Sequence, residues 1–150
     1  MTATGRTPAK ATLYWSAIWR AAITTATFAV PLSILQIWLI ESDRIGKGDA
    51  LNLLLYFAIM SCGALGGFAA AKLAPTSPLQ NGAAAAALAA MAIQVGGAIR
   101  RTIAGLDVSS PLGWIFLALL MATFGMFGAW VNEKTSPRTP TTSSHGSAPR

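Results

Sequence analysis

The sequence predicts an all-α membrane protein built as a bundle of four transmembrane helices. Three observations carry that expectation. The 150 residues are 53% hydrophobic and only 11% charged, against about 25% charged in an average soluble domain, and the mean hydropathy is +0.53. Four apolar stretches reach the ~20 residues that cover a hydrocarbon core of roughly 30 Å at 1.5 Å rise per residue. No Asp or Glu falls inside any of them. Together they take up more than half of the chain, which leaves no room for a separate soluble domain. A single Cys excludes an intramolecular disulfide framework and a Cys-rich zinc site.

The bundle is expected over residues 13–132. Helix one covers 13–40, with an interfacial turn from Leu13 leading into the apolar run Ala21 to Ile40. That run is longer than the roughly 7–15 residues of a signal-peptide core, and no small-x-small site follows Ile40, so the helix is read as retained. Pro31 cannot donate to the Thr27 carbonyl and is expected to bend the axis. Thr24, Thr25 and Thr27 precede it and are candidates for satisfying the freed backbone groups. A polar connector from Glu41 to Asp49, with two glycines, leads to helix two over 50–72. A tight turn from Leu73 to Ser77 leads to helix three over 78–99, and a loop from Arg100 to Ser110 leads to helix four over 111–131. Ser77-Pro78 and Ser110-Pro111 share one signature. A serine oxygen can cap free N–H groups, and proline suits the first helical position because its missing donor would be unpaired anyway. Asp49 is a candidate cap of helix two.

Orientation follows from the cations. Arg6, Lys10, Arg20, Lys72, Lys134, Arg138 and Arg150 lie on one side; Arg44, Lys47, Arg100 and Arg101 lie on the other. The positive-inside rule therefore places both termini in the cytoplasm. Trp15, Trp19 and Trp38 on helix one and Trp114 and Trp130 on helix four are candidate interfacial anchors, because indole rings favour the headgroup level. Arg20, next to Trp19, is expected to snorkel to the cytoplasmic headgroups.

Helix two carries the packing signal. Gly63 and Gly67 form a GxxxG, and Ala58, Cys62, Gly66 and Ala70 place a small residue at every fourth position of an adjacent line. Lipid offers no hydrophobic drive between helices, so small residues that let backbones touch provide the association. Helix three is rich in Ala and Gly, too poor in apolar area to insert well alone, and is assigned to the bundle interior or to an oligomer seam. Gly63-x-x-Gly66-x5-Lys72 returns 62 residues later as Gly125-x-x-Gly128-x5-Lys134. Two hairpins related as a parallel repeat would give this echo. The first helices of the two halves do not align, so coincidence stays open.

The residues of chemistry are scarce. The one His, His145, lies in the tail, the spans hold no acid, and no phosphate-binding or metal-binding motif occurs. No enzyme activity and no cofactor are expected. Gln36 and Gln94 sit at similar depth near the side opposite the termini, and an interhelical polar pair is expected, worth about 0.6–1.7 kcal/mol. A site for a transported solute is the alternative for that pair. Residues 1–12 and 133–150 are rich in Thr, Ser, Pro and cations and are expected to be disordered. The pI near 10.3 points to anionic lipid on the cytoplasmic side, with no nucleic-acid motif beside it.

Gly66-Gly67-Phe68-Ala69-Ala70-Ala71-Lys72, Asn81-Gly82 and Gly125-x-x-Gly128 with Asn132 resemble segments of small four-helix bacterial membrane proteins of unknown function. The resemblance spans helices two to four and implies architecture and a bacterial cytoplasmic membrane, without catalytic residues. The expected role is that of a small non-enzymatic accessory or scaffold subunit. Its partners would be the lipid bilayer and either a second copy or another membrane protein. The alternative is an oligomeric small transporter or channel.

Overall fold

A computed structural model describes residues 12–74, 76–108 and 110–136. It contains four long helices: α1 (Trp15–Glu41), α2 (Ala50–Leu73), α3 (Pro78–Ile103) and α4 (Pro111–Thr135). Each is long and apolar enough to cross a membrane. The protein is therefore an all-α four-helix bundle, and a multi-pass membrane protein by the length and composition of its helices. The tails expected at 1–12 and 133–150 lie mostly outside the described residues. Within them, Glu133, Lys134 and Thr135 complete α4.

Two helices run one turn past their apolar limits. α3 continues through Arg100, Arg101 and Thr102, and α4 through Asn132 to Thr135. Hydropathy marks where lipid ends, whereas the i to i−4 hydrogen bonds continue into the polar layer. α1 passes through Pro31 as one helix. The hydroxyls of Thr24, Thr25 and Thr27 bond back to the carbonyls of Arg20, Ala21 and Ile23, so none of them serves the Thr27 carbonyl that Pro31 leaves open.

The chain folds as two hairpins. α1 packs on α2 and α3, α2 also packs on α3 and α4, and α3 packs on α4; among the described residues α1 and α4 do not meet. They occupy opposite corners, with α2 and α3 across the short diagonal. The bundle has a terminal end, near Trp15, Leu73, Pro78 and Thr135, and a loop end, near Glu41, Ala50, Ile103 and Pro111. Its interior is small-residue: Ala21, Ala29, Ala70, Ala85, Ala86 and Ala129 are completely buried, and only Ile18 and Met121 add larger apolar side chains at that level. Many of the large apolar side chains, among them Phe57, Phe116 and Phe127, point outward. This inverts the pattern of a soluble bundle and suits a solvent as apolar as leucine.

At the loop end α1 and α3 stop in the same way. Asp43 (φ +52°) and Gly105 (φ +68°) take the left-handed conformation, and the next residues, Arg44 and Leu106, return their N–H to Leu39 and Arg101. These bonds satisfy carbonyls that a helix end would otherwise leave open. Of the three expected N-caps one forms. Ser110 accepts from the Gly113 N–H. Ser77 sits at φ +54°, which turns its side chain away from the helix, and makes no cap bond. Asp49 accepts from the Gly46 N–H at 2.6 Å instead, closing the connector on itself.

Candidate functional site: a closed seam below a loop-end cleft

Three glycines from three helices meet in the terminal half. A Cβ on Gly67 would strike the Gly125 carbonyl, one on Gly125 would strike the Gly82 carbonyl, and one on Gly82 would lie 2.8 Å from Ala129 Cβ and Gly125 O. Gly128 faces the Ala64 backbone in the same seam, and Gly66 faces Thr25 of α1. Gly63 lies under Met121, whose sulfur would be 2.9 Å from an added Cβ. Cys62 and Ala70 are buried on the same side of α2, and Ala58 is half-buried above them. Gly82 belongs to this node as fully as the glycines of α2, although helix three offered no GxxxG to announce it.

Two buried asparagines tie the ends. Asn81 accepts from the Tyr14 N–H at 2.8 Å and donates to the carbonyls of Thr12, Thr76 and Ser77. It fastens the entry of α1 to the turn between α2 and α3. At the loop end Asn52 donates to the Lys47 carbonyl at 2.6 Å and accepts from Gln36 Nε2 at 2.7 Å. The sequence pairs Gln36 with Gln94; the structure gives Gln36 to Asn52. The register of the first hairpin decides this, since Asn52 enters on the helix that follows α1 directly. Gln94 has no hydrogen-bond partner among the described residues and lines a cleft with Gln36.

That cleft is the candidate site. Its inner part, about 240 Å³, is bounded by all four helices through Ser33, Gln36, Tyr56, Gln94, Leu117 and Met121. Arg101 lines this part and also the wider mouth of about 490 Å³, where Glu41, Lys47, Asn52, Arg100 and Asp107 gather. Arg100 Nη2 meets both Glu41 oxygens at 2.6 and 2.8 Å, joining the ends of α1 and α3, and both side chains remain about half exposed (48% and 51%). Arg101 reaches the Asp107 carbonyl at 3.3 Å. A separate apolar groove of about 290 Å³ runs between α1 and α3 on the outer surface, from Ala26 and Ala92 up to Arg100.

The expected anchors divide. Trp15, Trp19, Trp38 and Trp130 are exposed, between 47% and 69%, as is Arg20. Trp38 carries Arg44 over its ring at 5.0 Å, and Lys134 sits 6.0 Å from the ring of Trp130. Trp114 is half-buried and closes a side notch with Gln94, Ala98 and Arg101. No group of three or more His, Cys, Asp or Glu converges among the described residues.

The chain matches no protein-family model, no curated protein and no solved structure. Fold and site are therefore defined by this molecule's own geometry: a four-helix bundle of membrane-spanning length, closed at one end and cleft at the other.

Proposed function

We propose that this chain is a small, non-enzymatic accessory or scaffold subunit of the bacterial cytoplasmic membrane, with both termini in the cytoplasm. One observation carries the reading: whereas Gln94 lines the cleft, the polar side chains of Thr25, Ser33, Gln36, Asn52, Ser61 and Thr123 bond within their own helices or between α1 and α2. Thr25, Ser33 and Ser61 donate to the carbonyl four residues back in their own helices, Thr123 to the one three back, and Gln36 and Asn52 hold each other. A hydroxyl that donates to its own helix, with no base beside it, is a poor nucleophile. The large side chains on the outer faces, such as Phe57, Phe116 and Phe127, are apolar and suit helix contacts.

The loop half of α4 offers the partner face, through Leu112, Ile115, Phe116 and Leu119 around Gly113. The mass of the complex in mild detergent, with its components identified, tests the proposal. The expected result is a defined heteromer that is lost on Phe116→Ser with helix content unchanged.

A second reading, an oligomeric transporter or channel, draws on the cleft. Gln94, Gln36, Ser33 and Tyr56 line a recess beside the loop-end mouth that Glu41, Lys47 and Asp107 surround, a geometry that suits a solute vestibule. A homo-oligomer that carries flux in liposomes would favour it and defeat the accessory role. Gly66→Leu would disrupt either assembly and tests packing alone.

A further inference from the structure

We propose that the groove between α1 and α3 binds one phospholipid of the ethanolamine type. One acyl chain lies in the groove, the phosphate rests on Arg100 and the ammonium rests on Glu41. The groove is walled by Val30, Ile34 and Ile37 on α1 and by Ala92 and Ile93 on α3, and Arg100 stands at its upper limit. From Ala26 to Ile37 it runs about 16 Å along α1. That is half of the roughly 30 Å hydrocarbon core, the depth occupied by one chain of one leaflet. Its volume of about 290 Å³ stands at the lower limit of small-molecule sites, roughly 300–1,000 Å³. It takes a chain and leaves the headgroup outside.

Its floor is made by two absent side chains. A Cβ on Gly96 or Gly97 would meet nothing within 4 Å. The bundle's own packing does not require either glycine, in contrast to Gly67, Gly82 and Gly125. What they leave is space continuous with the bilayer.

The mouth selects the headgroup. Arg100 and Glu41 form an exposed ion pair of a kind that contributes little to stability in water. The pair leaves guanidinium donors and carboxylate lone pairs unused. A phosphate adds to the guanidinium while a primary ammonium adds to the carboxylate, so opposite charges alternate around four groups. A quaternary ammonium has no N–H to donate to Glu41. Phosphatidylglycerol offers the same phosphate to Arg100 but only neutral hydroxyls to Glu41, whose charge it leaves uncompensated. Trp38, under Arg44 at 5.0 Å, lies within one turn of Glu41 and marks the same headgroup depth.

The inference needs the four helices to be spans, and it concerns a different face from the partner surface on α4. Lipid binding can thus fail while the heteromer survives, and the reverse. The test is native mass spectrometry of the full chain, delipidated in mild detergent and titrated with phosphatidylethanolamine, phosphatidylcholine or phosphatidylglycerol of matched chains. Phosphatidylethanolamine is expected to bind about tenfold more tightly than either of the others, the worth of one hydrogen bond to a charged group. Glu41→Ala should abolish that preference and keep residual binding of every lipid. Gly97→Leu should reduce binding of all three lipids, with helix content unchanged because the added side chain enters open space. Equal affinity for the three lipids, a preference that survives Glu41→Ala, or full binding by Gly97→Leu would overturn the proposal. So would a groove filled by a second copy, seen as a dimer that Gly97→Leu dissociates without any effect of lipid.

Discussion

The terminal and loop halves of the bundle use the same residue types to opposite ends. In the terminal half Gly67, Gly82 and Gly125 bring three backbones into contact, and α3 buries Asn81, Gly82, Ala85, Ala86, Ala89 and Ala90. In the loop half α3 buries nothing beyond Ala90, α4 buries nothing before Met121, and Gly96 and Gly97 face open space. A small residue is thus a permission for contact; whether another helix arrives is decided elsewhere in the fold. Here the decision is mechanical. The short turn after Leu73 and the Asn81 clamp draw the terminal ends of α2 and α3 to the entry of α1. The longer connectors at the loop end, each closing on its own carbonyls, let the helices stand apart around a cleft.

Substitutions in the two halves are expected to have unequal effects. The largest effect is expected at the glycine node. Gly67→Leu drives a side chain into the Gly125 backbone and should cost about 3 kcal/mol or more, seen as loss of a monodisperse species in detergent. Gly96→Leu, the same change in the loop half, should leave thermal unfolding unchanged. Asn81→Ala strands the Tyr14 N–H and removes the side-chain donor shared by the carbonyls of Thr12, Thr76 and Ser77. A loss of about 2 kcal/mol is expected, with faster proteolysis of the turn between α2 and α3 as the check. Asn52→Leu removes the partner of Gln36 and should cost about 1 kcal/mol, measured by unfolding in mixed micelles. Arg100→Gln is expected to change stability by less than about 0.5 kcal/mol, since the pair it breaks is half exposed.

Much of this architecture is legible in the chain. The four helices follow from apolar length, and the line of small residues through Cys62, Gly66 and Ala70 follows from spacing. Other features are not local. Ser77 and Ser110 both precede proline, yet one sits at φ +54° and the other caps its helix; the tight turn imposes the difference. Gly82 reads like Gly96 in sequence, and only the arrival of α4 separates them. Asn52 stands between leucines at the start of α2 and looks like a polar residue near the interface. Its bond to Gln36 depends on the register of the first hairpin, which the connector sets through Gly46 and Asp49. Gln94, at similar depth to Gln36, was the legible partner and is the residue the fold leaves facing the cleft.

The most direct test of a bundle closed at one end and open at the other is reactivity along α3. Single cysteines at Ala85, Ala89, Gln94 and Ala98, in a Cys62→Ser chain held in native membranes, are exposed to a water-soluble, membrane-impermeant thiol reagent from each side in turn. The expected result is reaction at Gln94 and Ala98 from the loop side alone and none at Ala85 or Ala89 from either side. Uniform reactivity along the helix, or entry from the side of the termini, would contradict it.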